Sequence, residues 1–199
     1  MSHYTDFIEE LPKRSLKLLR YFDLEKKQPG SNEVTLLISI AMPVFVISTE
    51  IIKKNDGKDH PELYMKLNKS VNENPIFKDA INEWSYEHTY RNYYEIDSLL
   101  YPEVFQSTSE LNPLSKLTQI RNALSHGGIK FTRGRNNEID KILFISEKRK
   151  ISEDKSSIND GYHLNLISIG NFKTLLTNWC KFLQNEKVEY CLTVLQDAA

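Results

Sequence analysis

The sequence predicts a mainly α-helical domain, a helical bundle with a small antiparallel β insertion just before its C-terminal helix. Three observations carry that prediction. Val34 to Thr49 is apolar and holds no charged residue, which marks a helix buried on most of its sides. A second helix is punctuated at both ends, by Asn112-Pro113 where it opens and by Gly127-Gly128 where it closes. After those glycines the pattern changes to short β-type runs, and helical periodicity returns only in the last stretch.

Taken in order, Phe7, Leu11, Leu18, Leu19 and Phe22 recur at roughly helical spacing from Asp6 to about Tyr21. Pro12 fits the first turn of that helix if it begins near Leu11. EKKQPGSN breaks the pattern as a loop. Ser31 or Asn32 then caps the long apolar helix, which runs to about Lys54 with a kink expected at Pro43. Because it is apolar nearly all round, it is expected to be the central helix. Residues 60–111 read as several short helices, among them HPELYMKLNKSV and NPIFKDAINEW, the latter with Asn74 as cap and Pro75 next. LSKLTQIRNALSH follows Pro113. IKF, KILFIS and HLNLISI are the β runs, separated by RGRNN and EDKSSINDG. Asn171 to Gln184 closes the series, with Phe172, Leu175, Leu176, Trp179 and Leu183 on one face.

A length of 199 residues suits one domain with its own core, spanning 1–199 with the β insertion at about 129–169. The formal net charge is -1, so no global positive field holds nucleic acid, and any such partner must meet a local basic patch. Cys180 and Cys191 have neither metal-ligand spacing nor the density of a disulfide scaffold. They read as reduced packing residues, which suits a cytoplasmic protein. MSHYTDFIEELPKR has no apolar signal core. The run from Val34 to Thr49 is shorter than the roughly 18–20 residues a membrane span needs, and it holds Ser39, Pro43 and Ser48. No membrane partner is expected.

The chemistry concentrates in QIRNALSHGG, residues 119–128. At about 100° per residue, Leu114, Leu117, Ile120 and Leu124 fall on one arc, the core side. Arg121, Asn122, Ser125 and His126 fall on the adjoining arc, with Asn122 and His126 one turn apart. Arg121 and His126 are roughly 140° apart around the axis. One subunit therefore holds them loosely, whereas two such helices meeting across a two-fold axis would enclose a cleft with two arginines and two histidines. A guanidinium is a planar, permanently charged fork that matches a phosphate. Imidazole exchanges protons near neutral pH, and an Asn beside it can orient either group. With no Asp/His/Cys cluster to hold a metal and no cofactor motif, phosphoryl transfer here needs a nucleophile from the substrate. RNA brings one, its 2′-hydroxyl. Spacing alone also fits a plain structural helix end, since Arg near a C-terminus and His beside a Gly cap both complement the helix dipole. Arg91-Asn92 repeats the dipeptide with no His after it.

The motif resembles the signature of HEPN domains: an Arg, a polar residue, a short spacer and a His near the end of a helix. Arg121, Asn122 and His126 match it with a four-residue spacer, and RNALSHGG followed by a β region and an amphipathic last helix is similar to the single-domain HEPN proteins of bacterial defence and toxin loci. The resemblance implies an HEPN-like helical bundle and a homodimer. It also implies a metal-independent endoribonuclease leaving 2′,3′-cyclic phosphate and 5′-hydroxyl ends, with Arg121, Asn122 and His126 as catalytic residues and RNA as substrate. An antitoxin or defence-complex partner goes with that class. Non-catalytic members exist too, so the alternative is a HEPN module that binds RNA, a nucleotide or a partner protein. Such sites can use a polar residue from another helix, for which Glu50 is a candidate.

Ser125, one turn from Arg121, is placed to hydrogen-bond to the site. Lys130, Arg133 and Arg135 follow the motif, and Lys148, Arg149 and Lys150 follow the next strand. If the ribbon folds back beside the helix, they would hold RNA phosphates. A solvated hairpin balanced by Glu138, Asp140, Glu147, Glu153 and Asp154 explains the same charges. Trp84, Tyr86, Tyr90, Tyr93 and Tyr94 read as core or dimer packing before base stacking. His88 and His163, without ligand-spaced partners, read as structural.

Overall fold

A computed structural model describes residues 7–25, 33–54, 69–75, 77, 113–133, 139–152 and 155–185. The chain is mostly helical, with a three-stranded antiparallel sheet directly before the C-terminal helix. The elements are α1 (Phe7–Glu25), α2 (Glu33–Lys54), α3 (Pro113–His126), β1 (Ile129–Arg133), β2 (Ile139–Ile151), β3 (Ser157–Ser168) and α4 (Ile169–Asn185). They divide into two compact units: Met1–Ser70 with Phe172–Ala199, and Val71–Asn171. Among the described residues no helix is long and apolar enough to cross a membrane.

In the first unit, α1 packs on α2. The first helix starts about one turn before Leu11, so Pro12 lies inside it and not in its first turn. Its side toward the core is Pro12, Ser15 and Leu19. Leu18, expected with them, is 43% exposed, because one residue further round the helix turns a side chain by about 100°. The second helix runs as anticipated to Lys54 and through Pro43. It buries Val34, Leu37, Ile40, Ala41, Val44, Phe45 and Ser48. Thr35, Ser39 and Met42, at helical spacing, form an exposed stripe, so this helix is more one-sided than its composition implies.

The fourth helix begins two residues before Asn171. Ser168 is its cap: the Asn171 amide donates to Ser168 Oγ at 3.2 Å, satisfying one of the open N–H groups of the first turn. Phe172, Leu175, Leu176, Trp179, Cys180 and Leu183 are buried, as their spacing predicts. Trp179 stacks on Phe45 at 6.0 Å between ring centroids and on Phe182 at 5.4 Å. Its indole N–H donates to Ser48 Oγ at 3.0 Å, and Ser48 Oγ donates in turn to the Val44 carbonyl.

The second unit is built around α3 and the sheet, with α3 packed against β2 and β3. Strand order is β1-β2-β3, antiparallel throughout. Ile129, Phe144 and Asn165 form one cross-strand row, while Lys130, Leu143 and Leu166 form the next. Successive rows point to opposite faces. One face carries Ile142, Phe144, Asn165 and Ile167, all buried, and the other carries the cluster of Leu143, Ile145, Leu164 and Leu166 with Tyr162 against it. The second and third strands run well past the anticipated KILFIS and HLNLISI. β1 pairs with β2 no further than Phe144, so beyond it β2 and β3 continue as a two-stranded ribbon.

Most of the short helices expected between 60 and 111 lie outside the described residues. So do Trp84, Tyr86, Tyr90, Tyr93, Tyr94, His88, Arg91, Asn92, Arg135 and Cys191, and the side chains of Glu50 and Arg133.

Candidate functional site

Each end of α3 is held by a specific contact. At its start, Asn72 Oδ1 accepts a hydrogen bond from the Leu114 amide at 3.1 Å, a capping bond supplied from another part of the chain. At its end, Gly127 takes φ +69° and the Gly128 amide donates to the Ala123 carbonyl at 2.8 Å. That is the six-to-one bond of a Schellman stop, whose left-handed residue favours glycine. Gly128 then joins the sheet, accepting from the Ile145 amide at 2.7 Å. A Cβ at Gly128 would run into the Ile145 carbonyl oxygen.

Between those ends the helix buries Pro113, Leu114, Lys116, Leu117, Gln119, Ile120, Ala123 and Leu124. Each fully buried Leu or Ile contributes roughly 1.5–3 kcal/mol, which favours packing this apolar side against the sheet. Arg121 and Asn122 are half-buried, and Ser125 and His126 are exposed. Ser125 and His126 thus face outward at the end of the helix, whereas Arg121, about 20° round the axis from Leu114 and about 40° from Leu117, sits at the edge of the buried arc.

Arg121 Nη1 donates to Asn122 Oδ1 at 2.6 Å. The neighbouring amide therefore orients one arm of the guanidinium fork. Partial desolvation pulls the Arg121 pKa down from its usual value, but an arginine starts so high that it remains a cation at neutral pH. His126 ends the helix beside the Gly127 turn. Among the described residues no group of three or more His, Cys, Asp or Glu side chains gathers where it could hold a metal ion. The Cys180 thiol is buried, and desolvation pushes its pKa up to about 12, so it is no nucleophile at neutral pH.

Among the basic residues expected to flank the motif, those that are described do not gather beside it. Lys130 shares a row with Leu143, so it belongs to the face opposite Asn165 and α3. Lys148, Arg149 and Lys150 lie on the ribbon that continues past β1. At about 3.3 Å per residue, Lys150 is roughly 16 Å along the strand from Ile145, where the helix end is anchored. Arg149 is committed to Glu147, with Nη2 and Nε donating to Oε2 at 2.8 and 3.0 Å. His163 is half-buried on β3, opposite Ser146.

Sequence reasoning missed one pair. Gln119, inside the motif stretch, and Asn165, inside the last β run, meet at the helix–sheet contact. Asn165 Nδ2 donates to Gln119 Oε1 at 2.9 Å, with both residues buried. The one available signal was an amide side chain in each apolar pattern, at positions that periodicity assigns to neither a clean core nor a clean surface.

A family model described as HEPN pEK499 p136 matches residues 1–190 of the chain. Comparison with the curated proteins and with the solved structures gives no match.

Proposed function

The chain belongs to the HEPN family, and from that premise we propose that it is a metal-independent endoribonuclease of a defence or toxin system. It acts on RNA at a composite site formed where two copies of α3 face each other in a homodimer. The observation that carries this reading is the last two turns of α3, where half-buried Arg121 is braced by Asn122 and His126 is exposed beside the glycine turn.

In this reaction the substrate's 2′-hydroxyl attacks the adjacent phosphorus as an imidazole of His126 takes its proton. The bond from phosphorus to the 5′-oxygen breaks, and that oxygen takes a proton from solvent as it leaves. The products are a 2′,3′-cyclic phosphate and a 5′-hydroxyl, with no net change of oxidation state. Arg121 neutralises the charge that builds on the non-bridging oxygens, and Asn122 keeps its fork in place. Because Arg121 and His126 diverge by roughly 140° on one helix, the facing copy brings the complementary group to the phosphate. Ser125 lies beside this path. Lys130, Arg133 and Arg135 are candidate RNA contacts outside it. The setting is a cytoplasmic protein, with an antitoxin or defence-complex partner where one is encoded.

Incubating purified protein with mixed RNAs in excess chelator tests the proposal. Wild type should cleave and leave cyclic-phosphate ends, and His126→Ala should lose about 10²–10⁴-fold in rate, the usual contribution of a general acid or base. Intact RNA with wild type, or undiminished cleavage by His126→Ala, sinks the enzyme reading at this site and leaves a binding module. A monomer at micromolar concentration would sink the composite cleft.

A further inference from the structure

We propose that Gln119 and Asn165 are positioning residues that set the rotation and register of α3 on the sheet, and so the presentation of Asn122 and His126. The inference rests on the ribonuclease reading only for its activity readout.

The apolar surfaces in contact here favour one side of the helix but do not by themselves specify its exact rotation. Leu117, Ile120 and Leu124 on the helix, and Ile142, Phe144 and Ile167 on the sheet, are all buried, but burial is non-directional and tolerates a shifted seat. The amide–amide bond is directional. Its donor and acceptor meet at 2.9 Å with Asn165 1% and Gln119 6% exposed, so breaking it removes a hydrogen bond where water cannot readily replace it. A single buried polar contact in an apolar seam is a known means of fixing register.

The geometry carries that register to the motif. Around the helix axis Asn122 is about 60° from Gln119, and His126 about 20° from it, two turns further on. A slip by one residue would rotate the helix by about 100° and drive these side chains toward the sheet or away from a facing partner. The sheet end is equally defined, because Asn165 shares its row with Phe144 and Ile129, and Ile129 follows the glycine turn that ends α3.

Replacing both amides by apolar side chains of similar size, Gln119→Met with Asn165→Leu, separates positioning from stability. Removing both partners of this bond leaves neither amide facing an apolar side chain, so the protein should still unfold in one cooperative transition on heating. RNA cleavage should nevertheless fall about 10–100-fold, on the scale expected for a misplacement near 1 Å, mainly in kcat. Side-chain NMR signals of Arg121, Asn122 and His126 should move at the same time. Gln119→Asn, which keeps the amide but shortens its reach, should lose activity and shift the same signals, and adding Asn165→Gln should restore both. Unmoved motif signals in the apolar pair overturn the inference, even if wild type proves to cleave no RNA and only the enzyme reading falls. Wild-type activity in the apolar pair overturns it as well. Should the apolar pair fail to fold, the exchanged amides decide: no recovery over Gln119→Asn means no positioning role.

Discussion

Gly128 shows how tightly one residue can be constrained. It receives the last turn of α3, accepts a bond from Ile145, and leaves no room for a β-carbon beside the Ile145 carbonyl. Gly128→Ala should therefore lower stability by about 1–3 kcal/mol, because backbone cannot yield as a side chain would. Gly127→Ala should cost about 1–2 kcal/mol for a different reason, its left-handed φ of 69°. Urea denaturation reads both. A Gly128→Ala protein as stable as wild type would mean that this strand is not seated against the helix end. The two glycines were visible in the sequence as a helix stop. That one is required for its φ and the other for its lack of a side chain was not, since the second reason depends on residue 145.

Among the elements, α4 was the most legible, since five apolar side chains at helical spacing predicted its buried face and all five are buried. Trp179 anchors that face by stacking on Phe45 and Phe182 while its N–H reaches Ser48. Trp179→Ala should destabilise the chain by about 3–5 kcal/mol, the range for large buried aromatics, read as a lowered urea midpoint. A loss below about 1 kcal/mol would place this contact at the surface. The strands were legible only in part. Where β2 and β3 are buried, alternation and apolar runs announce them; where they continue as an exposed ribbon, EKRKI and SINDG carry no apolar pattern, and cross-strand hydrogen bonding alone extends them. The same limit applied to α2, whose exposed stripe of Thr35, Ser39 and Met42 is nearly invisible in so apolar a run.

For the whole molecule, the divergence of Arg121 and His126 gives a test that single variants do not. Homodimers of Arg121→Ala and of His126→Ala should each be inactive. Co-expressed, they should form mixed dimers whose shared cleft holds one arginine and one histidine, and those should regain cleavage that neither parent has. Mixed dimers as inactive as the parents would mean that each subunit must supply its own pair, and the composite arrangement would be discarded. With a net charge of -1 there is no general positive field to hold RNA, so the proposed cleavage relies on the local cleft.

The sequence by itself determined that residues 113–126 form a helix, where it stops, and that its last turns carry Arg121, Asn122, Ser125 and His126 with Arg121 and His126 splayed around the axis. Those properties follow from local punctuation and a repeat of about 3.6 residues per turn, which any short window contains. Only the tertiary structure decided that Asn72 caps the helix from 42 residues away, that Lys130 belongs to the opposite sheet face, and that Gln119 is buried against Asn165 across 46 residues. Whether a polar side chain is buried depends on what packs opposite it, and that partner is not encoded in the spacing of its own helix.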